Sequence, residues 1–359
     1  VLGAEQLTEV TSLLKGKRVG LVVNNTAMVG KTHLADTLKN LGVNLIRIFG
    51  PEHGFRGDAA DGELVKDSVD HKTGVPVISL YGKNKKATPA QLKGLDIIVF
   101  DIQDVGARFY TYISTLHYLM EACAENGKKL IVLDRPNPNG SYVDGPILQP
   151  ELKSFVGMHP IPITHGMTIG EYALMINGEG WLEGGVKCEL EIIKMKNWKH
   201  DDDYSLPIKP SPNLPNDQAI RLYPSICLFE GTNISLGRGT QTPFLILGSP
   251  LLKEMPFQFT PVPIKGMSLE PPLKNQLCYG IDLRAVSVAR KVDLKYVLMF
   301  YKMYPDKEKF FTSYFNTLAG TPVLKQQIID GLTEEQIRAS WKPGLDAFKT
   351  KRAKYLLYP

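Results

Sequence analysis

The chain contains no Cys-x-x-Cys pair, no long apolar run and no dense basic tract, and each absence closes a class of function. Its four cysteines, Cys123, Cys188, Cys227 and Cys278, stand far apart in apolar surroundings, which predicts small buried thiols rather than a disulfide framework or a zinc site. No stretch is long and apolar enough to span a bilayer, so stable membrane insertion is not expected. The 42 basic residues against 37 acidic ones give a net charge of +5, with nothing denser than short pieces such as Lys83-Asn84-Lys85-Lys86. No nucleic-acid footprint is therefore expected, and a weak preference for anionic ligands is permitted. His-Glu-x-x-His and Gly-x-Ser-x-Gly are both missing, and no Gly-x-Gly-x-x-Gly follows the first strand. The expectation is no metal, no covalent serine and no cofactor.

At 359 residues with 43% hydrophobic and 22% charged side chains, the chain can fold without staples and fits two domains. Its first half alternates short β-branched runs with helical patterns. Strands are expected at 18–23, 45–49, 75–80, 96–100 and 130–133, and helices at 32–41 and about 110–125. Strands alternating with helices imply right-handed βαβ units and a parallel sheet covered on both faces. The fold class is α/β, a Rossmann-like layer sandwich with a mainly parallel sheet plus a smaller C-terminal α/β domain. The Pro-dense segment from Ser249 to Pro272 places the boundary, giving domains 1–248 and 249–359. A further helix opens at Thr168, where Thr168-x-x-Glu171 has the spacing of a capping box.

Every expected strand of the first domain runs into polar residues at its carboxyl end. These are Asn24-Asn25-Thr26, Gly50-Pro51-Glu52-His53-Gly54-Phe55-Arg56-Gly57, Tyr81, the segment Asp101-Ile102-Gln103-Asp104-Val105-Gly106-Ala107-Arg108-Phe109-Tyr110-Thr111-Tyr112, and Asp134-Arg135-Pro136-Asn137-Pro138. Parallel strands bring such ends to one rim, where ligands of open α/β sheets bind. Pro210-Ser211-Pro212-Asn213 and the Gly-rich stretch from Glu230 to Thr240 read as loops of the same site. Asn25-Thr26-Ala27-Met28-Val29-Gly30-Lys31-Thr32 differs from a phosphate-binding loop only in having Asn where the first Gly belongs, and keeps an NTPase as a minor alternative. The inventory of carboxylates, amides, tyrosines, arginines and histidines suits acid/base chemistry on a polyhydroxylated ligand, neutral or anionic. A non-catalytic saccharide-binding protein would use the same rim.

Taken in order, the Glu52, Asp101, Asp134 and Glu230 segments, with His165-Gly166-Met167-Thr168-Ile169-Gly170-Glu171 and Pro210-Ser211-Pro212-Asn213, resemble the NamZ-type exo-β-N-acetylmuramidases of bacteria over essentially the whole chain. The resemblance implies an active site in the cleft between the two domains, and exo-hydrolysis of N-acetylmuramic acid from non-reducing ends of peptidoglycan fragments. It implies an extracytoplasmic setting, periplasmic or secreted, in cell-wall recycling, with a signal peptide already removed. Glu52 is the expected acid, with His53 or Asp101 tuning it and Glu230 as its partner, although the 2-acetamido group of the sugar could itself be the nucleophile. Asn25, Arg56, Gln103, Arg108, Tyr110, His165, Asn213, Asn233 and Arg238 are the expected substrate-binding residues. Arg56, Arg108 and Arg238 are the candidates for the lactyl carboxylate. Ser235-Leu236-Gly237-Arg238-Gly239 departs from the family's Ser-Glu-Gly-Arg-Gly, so a carboxylate at position 236 cannot be essential if the activity holds here.

Overall fold

The computed structural model describes residues 1–56 and 68–359; Gly57, the last residue of the Glu52 segment, lies outside the described residues. The strands of the first part are β1 (Val19–Val23), β2 (Met28–Val29), β3 (Thr32–His33), β4 (Leu45–Gly50), β5 (Ser68–Val69), β6 (Pro76–Ser79), β7 (Ile97–Asp101), β8 (Lys129–Leu133) and β9 (Leu190–Ile193). Seven of them form one sheet in the order β5-β6-β4-β1-β7-β8-β9. All its pairings are parallel except β5 with β6. Strand order reverses at β1, which opens a crevice beyond the carboxyl ends of β1 and β7.

Both central strands, VGLVV and IIVFD, are buried along their whole length. A parallel sheet covered on both faces needs such continuous apolar runs. Alternate side chains go to opposite faces. Leu21, Val23, Val99, Ile131 and Leu133 pack with Val10 and Leu14 of α1 (Leu7–Leu14) and Leu34 and Leu38 of α2 (Leu34–Asn40). Val22, Ile98, Phe100, Leu130 and Val132 pack into a larger core. That core takes in α3 (Pro89–Leu92), α4 (Tyr112–Glu125), α5 (Ile169–Gly178) and most of the later elements. The Thr168 capping box is formed: the hydroxyl accepts from Glu171 N and Glu171 accepts from Thr168 N.

The chain then passes through α6 (Asp217–Ile226) and a 3-10 turn, Cys227–Gly231, to β10 (Ile246–Ser249), β11 (Phe257–Phe259) and β12 (Cys278–Asp282), a small antiparallel sheet in the order β10-β12-β11. Four helices complete the chain, α7 (Lys295–Met303), α8 (Tyr314–Ala319), α9 (Val323–Ile329) and α10 (Glu334–Arg352). Ser249, the expected start of the second domain, closes a strand of this sheet rather than a linker. The C-terminal tail returns to the first sheet, where Tyr358 donates to Asp134 at 2.6 Å and Leu357 N donates to Glu171 at 2.7 Å. All four cysteines are buried thiols outside any disulfide.

The phosphate-loop-like segment does not open a helix. Met28–Val29 and Thr32–His33 pair as an antiparallel ribbon, with Gly30 and Lys31 at its turn. His33 caps α2 instead, accepting from Ala35 N while its other ring nitrogen meets Asn24 O at 2.8 Å. A ribbon turn does not gather successive amides around a phosphate as a loop opening directly into a helix does.

Candidate active site

A cavity of about 270 Å³ lies where the carboxyl ends of β4, β6 and β7 meet α6 and α8. The first part of the chain supplies Glu52, His53, Tyr81, Tyr110, Thr111, Tyr112, Phe155, Ser211 and Asn213 to its walls. Tyr223, Glu230, Arg238, Phe244 and Tyr314 close it from the other side. Strand β4 ends at Gly50, and Glu52 and His53 stand on the turn just beyond, closed by Gly54 N donating to Pro51 O at 2.9 Å. His53 has φ +67°, a left-handed conformation uncommon outside glycine and one that collects at functional sites. Its Nε2 lies 3.3 Å from the Ser211 hydroxyl, which fixes the ring beside the acid.

Thr111, at the entry to α4, donates its hydroxyl to Glu52 Oε2 at 3.2 Å. Next to it the phenols of Tyr110 and Tyr112 both donate to Pro210 O, at 2.9 and 3.5 Å. Burial, and then the negative charge of Glu52, push the Tyr112 phenol above its ordinary range. Tyr110 and Tyr223 are likewise raised, first by burial. At neutral pH these rings stay neutral, and Tyr110 and Tyr112, whose protons go to Pro210 O, present their phenol oxygens as acceptors.

Glu230 and Arg238 face the same cavity as a pair. Nε and Nη2 of Arg238 both reach Glu230 Oε1 at 2.7 Å, with the guanidinium 5.3 Å from the Phe244 ring centroid. Asn213 is held by its side-chain amide donating to Met267 O at 3.0 Å and its backbone N–H donating to Ser211 Oγ at 3.1 Å. Of the expected residues, then, Glu52, His53, Glu230, Tyr110, Asn213 and Arg238 meet in one place.

The others do not line that cavity, and each has a structural partner that explains its polarity. Asp101, fully buried, holds the Arg135 guanidinium through two short contacts, at 2.5 and 2.8 Å. Arg108 is also fully buried and donates to the carbonyls of Pro146, Ile161, Leu318 and Ala319, stapling the two parts of the chain. Arg56 pairs with Asp70 at 2.9 Å and Asp36 at 3.3 Å. Gln103 donates to Asp104 O and Pro136 O, Asn25 to Lys209 O, and Asn233 to Lys309 O. His165 is buried against the Tyr172 ring, and burial pulls its pKa down to about 3, so it is a neutral core histidine.

Sequence reasoning missed Phe155, Tyr223, Phe244 and Tyr314, and gave Thr111 no role. Thr111 lies inside the polar segment that follows β7, but the aromatics of α6 and α8 carry no signal that separates a cavity wall from a core. Among the described residues no helix is long and apolar enough to cross a membrane, and no metal-binding group of three or more side chains forms.

Known proteins share this architecture and much of this sequence. The family model for the N-terminal domain of exo-β-N-acetylmuramidase NamZ matches residues 19–218, and that for its C-terminal domain matches 221–358. The peptidoglycan β-N-acetylmuramidase NamZ of Bacillus subtilis (strain 168) is 44% identical, with 96% of this chain and 88% of that protein aligned. A crystal structure of a DUF1343 family protein from Bacteroides fragilis NCTC 9343 superposes with a TM-score of 0.93 at 47% identity, over 100% of this chain and 98% of that one. A second DUF1343 protein of the same organism gives 0.85 at 32% identity, with the same coverage.

Proposed function

The chain belongs to the exo-β-N-acetylmuramidase NamZ family, and we propose on that premise that it is a glycoside hydrolase releasing N-acetylmuramic acid from the non-reducing ends of peptidoglycan fragments. The observation that carries the proposal is the placing of Glu52, held by Thr111 at 3.2 Å, in a cavity walled by neutral phenols and one arginine–glutamate pair. At about 270 Å³ the cavity is at the small end for ligand sites of ~300–1,000 Å³, which suits one terminal sugar ring rather than a stretch of glycan. A cavity of that size supports the exo reading.

Glycoside hydrolysis needs a proton delivered to the leaving oxygen while positive charge builds at the anomeric carbon. We assign the proton to Glu52. The neighbouring phenols and Asn213 orient hydroxyls and the acetamido group, and aromatic walls exclude water from the bond that breaks. Because the substrate is wall-derived, the setting we propose is extracytoplasmic, in turnover of the cell wall.

The test is incubation of the purified protein with muropeptide-derived disaccharides and with aryl glycosides of N-acetylmuramic acid and N-acetylglucosamine, with products followed by mass spectrometry. Release of free N-acetylmuramic acid from the non-reducing end is expected. Binding of these sugars with no product over long incubation would replace the hydrolase by a saccharide-binding protein. Calorimetric binding of a nucleoside triphosphate would revive the NTPase alternative.

A further inference from the structure

N-Acetylmuramic acid differs from N-acetylglucosamine by one feature, a lactyl ether bearing a carboxylate, so an enzyme that prefers the former needs a cation where that group lands. Three arginines were candidates by sequence, and the fold separates them. Arg56 is tied to two aspartates, and Arg108 is fully buried with four carbonyl acceptors. Neither lines the cavity, whereas Arg238 does. Among the described residues Lys85 also comes near, with its ammonium 4.3 Å from the centroid of Phe155, a wall residue, although Lys85 itself is not part of the lining.

The Arg238 site is built rather than incidental. Gly237 and Gly239 flank it at φ +90° and +78°, conformations that side chains rarely adopt. A Cβ on Gly237 would lie 2.6 Å from the Ile246 side chain, and one on Gly239 would lie 2.6 Å from Pro271 and 2.7 Å from Val262 O. The small sheet and the Pro-rich segment thus clamp the backbone on both sides of the arginine. Phe244 flanks its guanidinium, and Glu230, from the 3-10 turn after α6, engages two of its five donors. A carboxylate so placed fixes the plane of the fork and leaves its recognition of a second, planar carboxylate geometrically defined.

We propose that Arg238 binds the lactyl carboxylate and sets the preference for N-acetylmuramic acid, and that Glu230 is its positioning residue rather than the second catalytic group. The proposal rests on the saccharide reading of the cavity given above. Leu236, where the family pattern has Glu, is buried and brings no carboxylate to the arginine, whereas Glu230 does.

The experiment separates binding from turnover. Calorimetry measures the affinity of the whole chain for N-acetylmuramic acid and for its lactyl amide, which keeps the shape and removes the charge. Wild type should favour the acid, and Arg238→Ala should lose about ten- to a hundredfold in affinity for the acid with little change for the amide, the range expected for a charge-assisted pair. Arg238→Lys should recover part of the loss, and Lys85→Ala should leave it untouched. For Glu230→Gln, turnover of an aryl muramide should show a rise in KM larger than the fall in kcat, with an unshifted pH profile. Equal losses on acid and amide in Arg238→Ala would overturn the assignment of Arg238. A fall in kcat of ~10²-fold or more with loss of one limb of the pH profile in Glu230→Gln would return Glu230 to catalysis. Absence of turnover by wild type would count against the hydrolase while leaving the calorimetric result to decide the arginine.

Discussion

Two stretches of the same sheet rim carry acids and arginines of the same kinds, yet one sets its acids against partners inside the protein while the other sets them along the walls of the Glu52 cavity. Beyond β7 and β8, Asp101 and Arg135 satisfy each other, and Asp134 takes hydrogen bonds from Thr168, Gly170 and Tyr358. Glu171 next to them engages His200, Thr168 and Leu357. Beyond β4 and at the start of α4, Glu52, His53 and Thr111 sit across from residues of the other half of the chain, with a space between. The inner rim spends its polarity on locking the tail and α5 to the sheet. In the outer rim the same chemistry faces a cavity. Buried polar groups are paired in either case; what differs is whether the paired groups also face a cavity.

The largest test of this contrast is Glu52→Gln. The amide keeps the size and the contact with Thr111 but cannot donate the proton, and general acid catalysis is typically worth ~10²–10⁴-fold. Turnover of substrates with poor leaving groups should fall in that range, with a smaller loss on an activated aryl glycoside and an unchanged melting temperature. Equal and small losses on both substrates would move Glu52 to structure. Asp101→Ala should do the reverse. It leaves the Arg135 guanidinium buried without its counter-charge, and breaking such a pair costs ~3–5 kcal/mol of stability. Activity per folded molecule at low temperature should be near wild type, and a stable Asp101→Ala protein with lost turnover would join the inner rim to the chemistry.

The same contrast explains what the sequence could reveal. The five strands expected in the first half appear within a residue or so of their predicted positions, because strands buried on both faces must be unbroken apolar runs. Strand β9 was not anticipated: it lies at the sheet edge, only Ile193 is fully buried, and Glu191 interrupts its pattern. The return of Tyr358 to Asp134 spans most of the chain and leaves no local trace. In the site, Glu52 and His53 were legible as polarity in a tight turn after a strand. Asp101, Arg108 and His165 were equally polar in equally suggestive places, and nothing in a sequence distinguishes an arginine that meets a ligand from one that meets four carbonyls. Tyr223 and Tyr314 were invisible for the opposite reason, since an aromatic on a helix looks like core wherever it stands.

The smallest expected effect tests the boundary between the two stretches, at Asp104. Its Oδ2 accepts from Gly106 N at 2.8 Å, and His165 Nε2 lies 4.0 Å away; burial pushes its carboxyl up to about 7. The unfolded chain titrates the same group near ~3.9, so between those values the folded state binds the extra proton and stability declines as pH rises. Below about 4 both states are protonated and this contribution is intact; above about 7 both are charged, and the folded state bears the cost of a buried anion. Asp104→Asn is neutral throughout. Its stability relative to wild type should therefore improve between pH 5 and pH 8, and even one unit of the displacement is worth ~1.4 kcal/mol. Chemical denaturation of both proteins at the two pH values measures this directly. If Asp104 belongs to the inner rim, the pH profile of kcat should not move in the variant. A variant whose stability difference is flat with pH but whose kcat profile shifts would place Asp104 with Glu52, and the dividing line between the two rims would run on its other side.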